Sequence, residues 1–426
     1  MKVIVLFLIY FLLFLLFTFF VKKKEKYKLV IFLIILLSIS FNPSLGKEQF
    51  LNNEYNIFRI HSGFIAIFAC FLVLLNKKMI TLGREWLFFV SFIIISLFDV
   101  VFRVSDYVSY LTIFHTYLSI FLLYLIFKSL NQININSILY AFNYLAIVNG
   151  ILSVAQYITG KKLLIGNINE SILYTEGLVI AKRAIGVAGT NNAAGTFAAL
   201  LFGVVLYNVT KRKDLLSVIS LILTLLAAIL TLTRISYVAI IIEMVIFGIL
   251  TINKNKKKIY EKVIFISFIS PIVLVFLFYI RMIIYQKLFA ERGNTTSSRF
   301  DQYERIFDNL FPDNLIFGIG SGQYKSYMLT QFNFRDIDIH SQYLNILVES
   351  GIIIFILFVI LNFTLSIKII KSNCDKHLKI LTILIFVSNL LCANFNPNQY
   401  YYLNNIVYFM ILFSIYFKSK LDQGKN

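Results

Sequence analysis

Long apolar runs recur along this chain from end to end, separated by short polar connectors. No other feature limits the fold so severely. A helix needs about 20 mostly apolar residues to cross a bilayer core. Inside lipid every backbone amide must be paired within the spanning structure, so only helices or a closed barrel qualify. Barrel strands alternate apolar and polar residues, and these runs do not alternate. Composition agrees: 59% of residues are hydrophobic, only 14% are charged, and the mean hydropathy is +0.81. Soluble domains do not reach such values. The sequence therefore predicts an all-α, polytopic membrane protein of about 12–14 transmembrane helices.

Candidate spans centre near residues 12, 36, 66, 94, 118, 148, 200, 223, 243, 271, 357, 386 and 410. The first run, Val3 to Val21, reads as a span. It is too long for a signal-peptide core and no small-residue cleavage site follows it. No segment is low in complexity, so residues 1–426 read as a single integral domain whose one elaboration is a large polar loop at 281–340.

Lys and Arg are not evenly spread. Alternate connectors are strongly basic: Lys22-Lys23-Lys24, Lys77-Lys78, Lys211-Arg212-Lys213, Lys254 to Lys258, Lys368 to Lys379, and Lys418 with Lys420. Basic loops stay on the cytoplasmic side. The net charge of +19 is thus read as a topology signal. It does not point to nucleic acid, because no single domain concentrates it. This orientation puts the 42–56 loop, the 159–190 loop, the polar knot Thr231 to Ser236 and the 281–340 loop together on the outer face.

Cys70, Cys374 and Cys392 form no disulfide framework, and His61, His115, His340 and His377 are scattered without a metal-binding spacing. No phosphate-binding loop for ATP and no dinucleotide fingerprint is present. The sequence gives no reason to expect a metal or a cofactor.

Chemistry-bearing residues gather on the outer side. Arg234 lies between the apolar runs 215–232 and 235–252. Arginine near a bilayer interior is costly, on the order of 3 kcal/mol on insertion scales, and is functional by default; the plain alternative is an arginine snorkelling at a hairpin end. Arg299 opens a stretch with helical apolar spacing (Phe300, Tyr303, Phe307), for which Ser297 or Ser298 is the expected N-cap. Phe317-Gly318-Ile319-Gly320-Ser321-Gly322 has backbone amides that could approach an anion, although such runs are more often tight turns. His340 ends the loop. Most lone histidines are structural, but near neutral pH this side chain is the natural proton acceptor.

In their order these pieces resemble the O-antigen ligase and O-antigen polymerase superfamily over roughly residues 183–352. The resemblance rests on Arg183-Ala184-Ile185-Gly186, then Thr190-Asn191-Asn192 entering a span, Thr233-Arg234, Ser298-Arg299, the glycine run, His340-Ser341, and Glu349-Ser350-Gly351. Two positions depart from it: Thr233 stands where the family usually has Ser, and Ser341 where it usually has Asn. The resemblance implies a glycosyltransferase of the cytoplasmic (inner) membrane, working outside on glycans carried by undecaprenyl pyrophosphate. It implies that Arg234 and Arg299 hold the pyrophosphate and that His340 handles the proton of the attacking hydroxyl. Arg183 belongs to the same motif set. Tyr343, three residues on, is expected on the same helical face as His340, lining the acceptor path. Glu349 is expected to orient neighbours or cap a helix. With arginine supplying positive charge no metal is required; Asp336-Ile337-Asp338 stands without other ligands.

Polymerase and ligase share this machinery and differ in the acceptor, another lipid-linked repeat unit or lipid A-core. Residue usage rich in Ile, Lys, Asn and Phe suggests an AT-rich genome. Many such bacteria lack lipopolysaccharide, which favours the polymerase. A chain-length regulator and a flippase are the expected partners. A flippase or transporter is the alternative class for the chain itself, but transporters place charge at the midplane in broken helices, and here it gathers on one face.

Overall fold

A computed structural model describes residues 2–20, 25–39, 44–50, 53–75, 86–165, 167–176, 179–251 and 295–423. The expected span near 271, the basic stretches Lys22 to Lys24, Lys77-Lys78 and Lys254 to Lys258, and the first part of the 281–340 loop lie outside them. Every other expected span centre falls on a helix.

The helices are α1 (Lys2–Phe20), α2 (Tyr27–Leu36), α3 (Ser62–Leu74), α4 (Trp86–Phe102), α5 (Tyr107–Ser129), α6 (Ile135–Thr159), α7 (Asn191–Arg212), α8 (Leu215–Thr231) and α9 (Arg234–Thr251). After the loop helices α10 (Thr295–Arg305) and α11 (Tyr324–Phe332) come α12 (Gln342–Lys371), α13 (Lys376–Phe395) and α14 (Tyr402–Gln423). Two antiparallel hairpins complete the described elements: β1 (Ser44–Phe50) with β2 (Asn53–Arg59), and β3 (Leu173–Glu176) with β4 (Val179–Lys182). The chain is an all-α multi-pass membrane protein. Among the described residues six helices are long and apolar enough to cross a membrane: α5, α6, α7, α9, α12 and α13. Shorter apolar helices, among them α3, α4 and α8, pack beside them.

The centre of the bundle is α14. Residues Tyr402 to Phe417 are buried without interruption. A helix covered on all sides by protein need not be apolar on all sides, which explains why Asn404, Asn405 and Ser414 are tolerated there. Around it stand α5, α7 and α12, while α8 packs between α6 and α7, and α9 lies against α13. Small residues allow close approach, as membrane helix pairs require. A Cβ on Gly150 would lie 2.5 Å from the Leu223 side chain, and one on Gly195 would lie 2.5 Å from that of Thr233.

The described part of the loop, residues 295–340, is not irregular. Thr295–Arg305 is helical, followed by a π-helical segment, Ile306–Leu310, and then by α11. The helix begins at Thr295, so Ser297 and Ser298 fall in its first turn and not at its cap. Ile306, Leu310, Ile319, Tyr324, Met328, Ile339 and Val348 form a small hydrophobic core of its own under this cap.

Candidate active site

The two halves of the site are built differently. The first is the polar knot before α9. Helix α8 ends at Leu232, whose φ of +51° turns the chain sharply. The last carbonyls of a helix have no partner within it and carry partial negative charge. Arg183 supplies the missing donors. Its Nε donates to the Thr231 carbonyl at 2.9 Å, and its Nη2 to Asn192 Oδ1 at 3.1 Å and Thr233 Oγ1 at 3.3 Å. Thr233 Oγ1 lies 3.0 Å from the carbonyl of Asn191, to which it donates. Arg183 is only 1% exposed. It therefore fixes the backbone from which Arg234, half-buried at the first position of α9, projects.

The second half is the cap. Arg299 is half-buried on α10, and Arg299 opposes the burial that raises the Tyr303 phenol above its ordinary range. Arg299 also acts on His340. Burial and then the Arg299 charge hold the imidazole below its ordinary range; Asp338 and Asp336 pull the other way and do not win. His340 is thus neutral at neutral pH, the form that accepts a proton.

The stretch Asp336 to Asp338 is committed to internal pairing. Asp336 accepts from Tyr324 Oη at 2.6 Å, Arg305 Nη2 at 3.1 Å and Gln302 Nε2 at 3.2 Å. Asp338 pairs with Lys325 at 2.8 Å. These contacts tie α10 and α11 to the segment that delivers His340.

The glycine run contacts different groups from the ligand its sequence suggests. Its amides face the protein's own groups and not a site for a ligand. Gly322 donates to Glu349 Oε2 at 2.7 Å, Tyr324 donates to Glu349 Oε1 at 3.1 Å, and Ser321 donates to Asp99 Oδ2 at 3.2 Å. Ile319 and Gly320 donate to the carbonyls of Val348 and Glu349 at 3.0 and 2.9 Å. Those carbonyls are accessible because α12 is interrupted at Gly351, whose φ is +80°. A Cβ there would come within 2.1 Å of the Ile316 carbonyl, and one on Gly318 within 2.3 Å of the Glu349 carbonyl. Glu349 therefore caps α11 and fastens the cap to α12.

Tyr343 requires a correction. His340 precedes α12, whose N-cap is Ser341 with extended backbone (φ −150°), so helical spacing does not relate His340 to Tyr343. Tyr343 packs on Phe358, at 5.6 Å between ring centroids, against the bundle core.

Two contributors escaped the sequence reading. The first is the α4–α5 turn, which clasps the cap. Arg103 Nη1 donates to the carbonyls of Phe317 and Gly318, both at 3.1 Å. Gln323 Oε1 accepts from the amides of Ser105 and Asp106 at 2.8 and 2.9 Å. Asp99, an acid inside an apolar run, was the available signal. The second is the amide-rich turn between α13 and α14. Asn396 donates to Thr196 Oγ1 at 3.0 Å, and Gln399 donates to the Ile339 carbonyl at 3.2 Å. Tyr401, in the same turn, lies near Thr190 and Asn192. The Arg299 charge acts on His340, and the turn between α13 and α14 links Ile339, next to His340, with Thr196 of α7.

Residues 219–359 match the family model for the O-antigen ligase. Over this segment, about a third of the chain, the protein is similar to the O-antigen ligase family. The matched segment runs from α8 into α12, and Arg234, Arg299, His340, Tyr343 and Glu349 all fall within it. Arg183, which holds the knot, lies upstream of it. No curated protein matches the chain. The match supports a part in membrane glycan processing, in keeping with a multi-pass membrane protein.

Proposed function

We propose that the protein polymerises oligosaccharide repeat units carried on undecaprenyl pyrophosphate into a surface polysaccharide, on the outer face of the cytoplasmic membrane. The observation that carries this reading is that Arg299 and His340 lie in the matched segment, where burial and the Arg299 charge hold the imidazole below its ordinary range. The leaving group is a pyrophosphate. It needs fixed positive charge as the glycosidic bond breaks, and stabilising charge developed in the transition state is commonly the largest catalytic effect. Arg234 and Arg299 are suited to this, being permanently charged and able to donate in a planar fork. His340 takes the proton of the attacking hydroxyl, a contribution of typically 10²–10⁴-fold. In this scheme no metal is called for.

The description of the matched family favours a second reading, in which the same donor site hands the glycan to a different acceptor, as a ligase does. The acceptor separates the two. Purified protein in vesicles is given lipid-linked repeat units alone: lengthening of the glycan supports the polymerase, whereas turnover only after a non-repeat acceptor is added supports the ligase.

The donor chemistry is tested by His340→Ala. Cells carrying this variant should accumulate single repeat units on undecaprenyl pyrophosphate that are accessible to an impermeant glycosidase. Full-length polymer would remove His340 from the mechanism. Units trapped on the inner side would mean that the protein moves glycans across the membrane instead of joining them.

A further inference from the structure

The turn that joins the cap to the bundle is apolar where a loop in water would be polar. Residues 314–324, between Asp313 and Lys325, carry no charged side chain. Within this stretch Ile316 and Phe317 are 57% and 58% exposed. Beside it stands the end of α4, where Val101 and Phe102 are 70% and 68% exposed. Arg103 links the two. Besides donating to the Phe317 and Gly318 carbonyls, its guanidinium lies 5.5 Å from the Phe98 ring, which packs on Phe102 at 4.6 Å between centroids. The other flank is α12. The Ile352 amide donates to the Leu315 carbonyl at 2.9 Å, and Ile353, next in the chain, is half exposed.

These side chains continue surfaces made for lipid. Helix α12 is long and apolar enough to cross a membrane. Its exposed residues Ile353, Ile356, Ile360, Phe363 and Ile367 follow helical spacing along one face. On α4 the exposed Val90, Ile94, Leu97 and Val101 do the same. The α12 row begins, and the α4 row ends, at the turn that carries Ile316 and Phe317.

Depth can be judged from α12. Between Gly351 and Lys368 its residues are uncharged. That run rises roughly 24 Å at 1.5 Å per residue, short of the hydrocarbon core of about 30 Å. Beyond Lys368 the helix becomes charged, so the missing length lies on the Gly351 side, at the level of the turn. Backbone inside hydrocarbon must find its hydrogen bonds within the protein. The turn meets that demand. Gly318 donates to the Asn314 carbonyl at 2.8 Å, and Ile319 and Gly320 donate to the carbonyls of Val348 and Glu349. The carbonyls of Leu315, Phe317 and Gly318 accept from Ile352 and Arg103.

We infer that Ile316 and Phe317, with Phe98, Val101 and Phe102, are immersed among the acyl chains of the leaflet on the cap's side. The cap is then anchored in the lipid as well as to the bundle.

Trp86 is the single tryptophan of the chain, so Trp86→Phe gives a silent background. Phe317→Trp, Ile316→Trp and Ile356→Trp are each made in that background, and the full-length proteins are reconstituted in phosphatidylcholine vesicles. Phe317→Trp and Ile316→Trp should lose as much emission to acyl-brominated phosphatidylcholine as Ile356→Trp on the face of α12, and little to aqueous acrylamide. The two turn positions are more than half exposed, and Ile316→Trp carries the test if Phe317→Trp does not fold. Quenching by acrylamide and not by brominated lipid would put the turn in water and overturn the proposal. Quenching by neither would overturn it as well, because another part of the chain or a second copy would then cover this surface.

Discussion

The Nε of Arg183 donates to the carbonyl of Thr231 at 2.9 Å, three residues before Arg234. A buried arginine thus serves as the C-terminal cap of one membrane helix and sets the starting point of the next. In this geometry it positions the backbone that leads to Arg234.

Arg183→Ala should accordingly act on stability. It leaves the end of α8, Asn192 and Thr233 without their charged donor, and losing hydrogen bonds to a charged group costs about 2–3 kcal/mol. The expected result is a clear fall in melting temperature of the detergent-solubilised protein, with glycan transfer falling in proportion to folded material. An unchanged melting temperature with lost transfer would place Arg183 in the chemistry instead.

The charge on Arg299 is expected to set the acid limb of the pH profile. In the proposed mechanism His340 is the neutral base, so transfer should be lost as pH falls through its depressed pKa. Removing the neighbouring positive charge favours the imidazolium. In Arg299→Gln the acid limb of the residual activity should therefore move to higher pH. A shift to lower pH, or none, would mean that the two side chains do not sense each other.

Arg299→Lys separates charge from shape. An ammonium is a point charge and cannot present the planar fork of a guanidinium. The lysine variant is expected to remain close to Arg299→Ala in kcat/KM. Full activity with lysine would show that charge alone suffices.

The junction of cap and span should be intolerant of small changes. Glu349→Ala leaves the buried amides of Gly322 and Tyr324 unpaired, at about 1–3 kcal/mol each. Gly351→Ala forces a methyl group to 2.1 Å from the Ile316 carbonyl at a φ of +80°. Both variants should expose the 315–324 segment to limited proteolysis while the spans stay protected. A cap that remains resistant in both would contradict the described docking.

The spans could be read from the sequence because lipid imposes one rule on every residue of a run, and length with apolarity reveals it. Arg234, Arg299 and His340 stood out for the related reason that charged or polar groups near lipid are rare. The glycine run was legible as a tight backbone but not in its partner. That partner, Glu349, lies 27 residues from Gly322, and only the break at Gly351 brings them together. Tyr343 was misplaced because helical spacing was carried back across a residue that caps the helix. The hub formed by Asn396, Gln399 and Tyr401 left the weakest trace, since amides in a connector look like any solvated turn until their partners are known.

The enclosure of α14 bears on how the bundle is assembled. It follows every other described helix in the chain, yet α5, α7 and α12 close around it. During synthesis those earlier helices must wait in the bilayer with a groove between them. They can adopt their final arrangement only after residues 402–423 have been inserted. Until then Asn404 cannot bond to the carbonyl of Ala193, nor can Asn405 meet Gln342. Completion of the site is therefore timed by the arrival of a helix that contributes none of the arginines or the histidine proposed for its chemistry.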